Sequence, residues 1–142
     1  MKKKLLSALL CVTMVASLLA GCGSKNTSAT SDGKAELALV TDLGTIDDKS
    51  FNQGAWEGLK KYAEEKGISY KYYQPQEGTT DSYIETIGLA VEGGAKLVVC
   101  PGFLFEEPIF IAQDTYPDVK FILLDGEPHN ADYSEYRTND NV

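Results

Sequence analysis

From residue 36 onward the apolar positions change period repeatedly, and the changes predict strands alternating with helices. Residues 36–41, ELALVT, are short and apolar enough for a strand. Over 50–66 the apolar residues Phe51, Ala55, Leu59, Tyr62 and Ala63 fall close to one helical stripe. Ser50 and Gln53 have the S-x-x-Q spacing of a capping box, and Gly67 stands where a glycine ends a helix. Residues 68–73, ISYKYY, alternate and are aromatic and β-branched, which suits a second strand. A second helix is predicted over 79–93, with Tyr83, Ile84, Ile87, Ala90 and Val91 as its buried face, and a third strand over 95–100, AKLVVC. Residues 103–116 predict a third helix, made irregular by Pro108, which suits a first-turn position after a break. VKFILL, 119–124, is a fourth strand, and the tail 133–142 is a candidate start of a fifth.

Strands separated by helices of this length pair in parallel through right-handed crossovers, so the fold class expected is α/β, a doubly wound parallel sheet. Such sheets bury both faces, and four strands with three helices leave part of one face uncovered. The expectation is therefore a truncated lobe over 36–142.

The first residues carry an address instead of a fold. Lys2, Lys3 and Lys4 precede an apolar run over 5–20, the layout of a secretory signal. The run is short of the about 20 apolar residues of a spanning helix. It ends in Leu19-Ala20-Gly21-Cys22, which resembles the lipobox of bacterial lipoproteins. That resemblance implies a signal peptide over 1–21 and a mature Cys22 carrying lipid on its sulfur and its amine; the plainer reading is a signal peptide beside an ordinary cysteine. With acyl chains contributing about 0.8 kcal/mol per buried CH₂, more than one chain makes a stable membrane anchor. The segment 22–35 is small and polar and reads as a lipidated N-terminus and flexible leash.

Charge and cysteine content narrow the function. The 142 residues hold 13 basic and 21 acidic side chains, a net charge of −8. Without the three leader lysines the balance is 10 against 21, or −11, which repels phosphate backbones and disfavours nucleic acid as a partner. Once Cys11 leaves with the leader and Cys22 is lipidated, Cys100 alone remains, and its Val-rich setting favours a small buried residue over a nucleophile. His129 is the only histidine and has no Cys/His spacing around it, so neither a metal nor a cofactor is expected.

Ligands of open parallel sheets sit outside the carboxyl ends of the strands. Three loops would meet there: TDLGTIDDKSFNQG over 41–54, PGF over 101–103, and Asp125-Gly126-Glu127. Asp42 would cap the strand end, Gly44 would permit a tight turn, and the helix start at Ser50 would expose backbone donors. Neither phosphate-binding glycine pattern is present. Asp47 and Asp48 would repel a phosphate, whereas a neutral ligand presenting N–H or O–H groups would find acceptors in Asp42 and Asp125. Each residue also has a plainer reading. Phe51 offers a face for stacking or belongs to its helix's core stripe; Asp47 and Asp48 complement a helix dipole; Asn52 faces solvent; Asp125 marks a turn; Trp56 serves surface packing or the ligand.

The segments DLGTIDDKSFNQGAWEGL, GGAKLVVCPGFLFEEP and FILLDGEP, together spanning about Glu36 to Asn141, resemble the basic membrane protein family, the substrate-binding lipoproteins of nucleoside ABC transporters. The resemblance implies a type I periplasmic-binding-protein fold, in which two α/β lobes close on a nucleoside, here a purine nucleoside first. Carried onto this chain, it places Phe51 against the base, Asp42, Ser50 or Asn52, and Asp125 as hydrogen-bonding groups, and Gly102 with Phe103 along the cleft. It implies an ABC permease and ATPase as partners, no catalytic residue, and a lipid-anchored place on the extracytoplasmic face of the cell membrane. The second lobe is missing after Val142, so half a site is expected.

Two other functions compete. One is a regulatory or surface-interaction lipoprotein using the same fold without transport. The other, weaker, is a hydrolase using Asp42 and Asp125, for which the sequence offers no base beside a nucleophile and no G-x-S-x-G elbow.

Overall fold

The computed structural model describes residues 34–142. The expected leader, the lipidation at Cys22 and most of the leash lie outside the described residues. Four strands form one sheet: β1 (Leu37–Val40), β2 (Tyr70–Tyr73), β3 (Leu97–Pro101) and β4 (Lys120–Leu124). Their order is β2-β1-β3-β4 and every pairing is parallel. Three helices make the crossovers: α1 (Phe51–Lys66), α2 (Thr80–Glu92) and α3 (Glu106–Thr115). No helix among the described residues is long and apolar enough to cross a membrane.

Alternation along the strands divides the core in two. Ala38, Val40, Val98, Cys100 and Phe121 face α2 and α3, where Ile87, Phe105 and Ile109 complete the larger cluster. Leu37, Leu39 and Val99 face α1, where they meet Leu59, Ala63 and Tyr70. α1 covers this second face alone. Ile122, in register with Val99 on the same face, is exposed, so one face of the sheet is only partly covered. Ala35 is buried and its N–H donates to the Gly93 carbonyl at 2.9 Å, so packing reaches one residue into the segment read as a leash.

Several local expectations need correction. The S-x-x-Q box does not form: the Ser50 side chain makes no capping bond. Asp48 caps α1 instead, its carboxylate accepting from the backbone N–H groups of Ser50 at 2.8 Å and Gln53 at 3.1 Å. The Gln53 side chain reaches back only to the Lys49 N–H. The α1 stripe is also rotated. Asn52, Leu59 and Ala63 are its buried residues, with Ala55 and Trp56 partly buried, whereas Phe51 and Tyr62 are exposed. Trp56 covers the outer strand, its ring 5.5 Å from Tyr70 and 5.4 Å from Tyr72.

Other signals read locally are present. Gly67 ends α1 in the left-handed region, with φ 68°. Thr79 caps α2 by accepting from the Ser82 N–H at 3.3 Å. Pro108 sits in the first turn of α3, where its missing N–H has no intrahelical partner to lose, and the break before it is a 3-10 turn over Phe103–Phe105. No fifth strand is found among the described residues. The tail is held by side chains and by isolated backbone bonds: Asn141 donates through its side chain to the carbonyls of Gln113, Tyr116 and Val119 and accepts from the Phe121 N–H at 2.7 Å, and the Arg137 guanidinium is bidentate on Asp114 at 2.6 and 2.9 Å.

Candidate ligand-binding site

The chain leaves β1 outward to β2 and then crosses back to β3, so the connections after β1 and β3 diverge to opposite faces of the sheet. At such a switch point the strand ends leave a crevice. It holds a concavity of about 250 Å³ lined by Asp42, Phe51, Pro101, Gly102, Phe103, Leu104 and Asp125. All three loops expected at the rim contribute. A wider depression of about 550 Å³ opens beside the edge strand β2, against Trp56 and Tyr72. It is away from the switch point, and of the residues read as possible ligand contacts only Trp56, whose alternative was surface packing, lines it.

Two aromatic rings flank the crevice. Phe51, first residue of α1, is 49% exposed, and Phe103 in the 3-10 turn is 67% exposed. Phe51 therefore does not spend its ring on the core, and its face is open to a ligand. Gly102 reaches this turn with φ 102°, a conformation that side chains resist, and its N–H donates to the Leu124 carbonyl at 2.8 Å, tying the turn to the end of β4.

The carboxylates are set by local bonds. Asp42 Oδ1 accepts from the Gly44 N–H and from Asn52 Nδ2, each at 2.7 Å. Oδ2 accepts no bond from any described residue. Asn52 is only 3% exposed, so it lies beneath the concavity, where it aims Asp42, and it neither faces solvent nor lines the cavity. Gly44 has no room for a side chain: a Cβ there would stand 2.7 Å from Asn52 Nδ2 and 2.8 Å from Asp42 Oδ1. Ser50 is exposed and stands outside the concavity. Asp125 is held at φ 60°, a left-handed position that Asp tolerates better than most residues and that turns the chain sharply at the end of β4.

Asp48 carries the electrostatics of the first loop. Desolvation pushes its carboxyl up, but the N–H groups of Ser50, Gln53 and Asn52 outweigh this and hold it below its ordinary range. A depressed carboxylate contributes stability above its unfolded pKa and loses it as pH falls through the folded value. Urea midpoints are thus expected to fall on acidification less steeply in Asp48→Asn than in the unaltered protein; parallel slopes would count against this role. Burial, and then the Asp42 charge, push the Tyr83 phenol up, so it stays neutral beneath the loop. Burial likewise pushes the Cys100 thiol up, out of nucleophilic range.

The lining combines two carboxylates with two exposed rings and no basic side chain. Such a surface accepts hydrogen bonds from a neutral, flat, donor-rich molecule and repels anions. Pro101 and Leu104 line it as well; Pro101 belongs to the P-G-F loop expected at the rim without being named as a ligand residue, and Leu104 is one position beyond it, so taking the whole P-G-F-L stretch would have found both.

The sequence model of the family described as "ABC transporter substrate-binding protein PnrA-like" matches residues 35–142. The chain is 33% identical over 133 residues to the ABC transporter nucleoside-binding protein BmpA of Lactococcus lactis, covering 88% of this chain and 37% of that protein. It is 34% identical over 128 residues to an uncharacterized lipoprotein of Pyrococcus horikoshii, covering 88% and 31%. Among solved structures, an ABC transporter solute-binding protein of Aeropyrum pernix matches with a TM-score of 0.54 at 28% identity, over 66% of this chain and 26% of that one. A transcriptional activator of the comK gene from Bacillus halodurans shares the fold, with a TM-score of 0.55 at 23% identity over 66% and 31% of the two chains. The chain thus spans between about a quarter and little more than a third of the length of these relatives. With its parallel α/β sheet and the extent of that match, the chain belongs to the family of PnrA-like ABC transporter substrate-binding proteins.

Proposed function

We propose that this protein captures a nucleoside, a purine nucleoside first, and delivers it to the permease and ATPase of an ABC importer. The observation that carries the reading is the switch-point concavity, where Asp42 and Asp125 offer acceptors between the open rings of Phe51 and Phe103. A nucleobase stacks on such a ring, and its N–H groups and ribose hydroxyls donate to carboxylates. The name of the Lactococcus relative points the same way. A concavity of about 250 Å³ falls below the range of about 300–1,000 Å³ usual for small-molecule sites, so an opposing lobe would complete the enclosure. Calorimetric titration of the full-length protein with inosine, adenosine, uridine, ribose and a hexose tests the reading. Binding of nucleosides without their conversion to free base is expected; silence across every nucleoside would overturn it.

In this reading residues 1–21 are removed, Cys22 is lipidated, the segment 22–35 is the leash and 36–142 is the binding lobe on the extracytoplasmic side of the membrane. The Pyrococcus relative is likewise named a lipoprotein. Cells grown with labelled palmitate should label the unaltered protein, and Cys22→Ser should abolish the label and free the protein from the membrane fraction. A label retained by Cys22→Ser would exclude this anchor.

A further inference from the structure

The crevice and the wide depression beside β2 share a wall, the loop that follows β1. Asp42 lines the crevice, whereas Thr45, Ile46 and Asp47 line the depression. Gln74, the first residue after β2, stands on the depression side and does not line the crevice. Its side-chain Nε2 donates to the carbonyls of Leu43 at 2.9 Å and Gly44 at 3.2 Å. Neither carbonyl accepts from any other described residue. The Leu43 side chain, 55% exposed, does little to hold this turn by packing. Pro75 comes next and is buried; a proline there disfavours helical backbone at Gln74, which restricts the chain that carries the amide.

The bond to Leu43 reaches the ligand side through one peptide unit. The Leu43 carbonyl and the Gly44 N–H are the two ends of the same peptide group, and that N–H donates to Asp42 Oδ1 at 2.7 Å. A planar trans peptide directs its C=O and its N–H to opposite sides and cannot turn one without the other. Gln74 on one side and Asp42 on the other therefore grip a single rigid plate. Asn52 Nδ2 supplies the second bond to Oδ1, also at 2.7 Å, from a buried position in α1. With both donors on Oδ1, Oδ2 is the oxygen left to accept from a ligand. If Gln74 lets go, the plate is free to rotate, the Gly44 N–H leaves Oδ1, and the carboxylate loses one of the two bonds that aim it.

We propose that Gln74, from outside the crevice, is the positioning residue of the Asp42 carboxylate: its side-chain amide fastens the Leu43–Gly44 peptide to the end of β2 and so keeps Oδ2 free for the ligand. The clamp stands on the hydrogen bonds alone; only its effect on affinity rests on the proposed function.

Gln74→Met tests it, because methionine keeps the length and neutrality of the side chain and removes the donor. In the full-length protein, hydrogen exchange at the Gly44 amide is expected to quicken about threefold to tenfold in the variant, the effect of one lost hydrogen bond, while the Leu39 amide in β1 exchanges as before. Affinity for adenosine should fall by a like factor in calorimetry. Because Gln74 acts through Asp42, adding Gln74→Met to Asp42→Asn should weaken binding less than about twofold further, whereas a residue with an independent role would multiply the two losses. A Gly44 amide that exchanges alike in the two proteins overturns the clamp, as does a double variant in which the losses multiply. Failure of adenosine to bind the unaltered protein would count against the nucleoside reading and leave the exchange test standing.

Discussion

Phe51→Ala is expected to weaken nucleoside binding about fivefold to 150-fold while leaving stability nearly unchanged. Stacking of a base on an aromatic ring is worth about 1–3 kcal/mol, and each 1.4 kcal/mol is about tenfold in affinity. The ring is 49% exposed in the unliganded lobe, so its removal uncovers little core. Alanine also favours the first turn of α1 by a few tenths of a kcal/mol over phenylalanine, which offsets part of what is lost. Calorimetry reads the affinity and a urea melt reads the stability, and the two must separate. A variant that binds as before but unfolds at a much lower urea concentration would show that Phe51 belongs to the core.

The opposite outcome is expected for Phe105→Ala, the largest stability effect in this lobe. Phe105 is fully buried, its ring centroid 4.8 Å from that of Tyr83, in the cluster that joins α2, α3 and the sheet. Truncating a buried phenylalanine typically costs about 3–5 kcal/mol. Against a total stability of about 5–15 kcal/mol for a domain, that leaves little margin. With a urea dependence of about 1–3 kcal/mol per molar, the midpoint should fall by about 2 M. Phe103→Ala, two residues away and 67% exposed, should keep its unfolding free energy within about 0.5 kcal/mol of the unaltered protein. Equal shifts in the two variants would contradict the packing described.

The two phenylalanines show where reading a sequence succeeds and where it runs out. Residues 103–105 read FLF, and nothing in their order says which ring is inside. A helical period predicts a direction only where the helix is already turning, and here a 3-10 turn precedes it. α1 shows the same limit. Phe51 and Tyr62 fit an apolar stripe as well as Leu59 and Ala63 do, but the helix is rotated so that Asn52 goes inward to reach Asp42. A buried polar residue with a specific partner ten positions away leaves no trace in hydrophobic periodicity. The capping box failed for a related reason: Asp48, two residues before Ser50, reaches the same orphan N–H groups with a full charge.

By itself the sequence determined the α/β class, the number and order of strands and helices through β4, the glycine stop at Gly67, the first-turn place of Pro108, and the three loops that form the rim. Each of these follows from local chain chemistry or from a period set by secondary structure. Only the tertiary structure decided that β1 lies between β2 and β3, which puts the switch point beside Asp42. It also decided that Phe51 and Phe103 stay open, and that Gln74 reaches the Leu43–Gly44 turn from the end of β2. Those facts depend on which surfaces meet after the chain crosses over, and contact between residues far apart in sequence is not written in any short stretch of it.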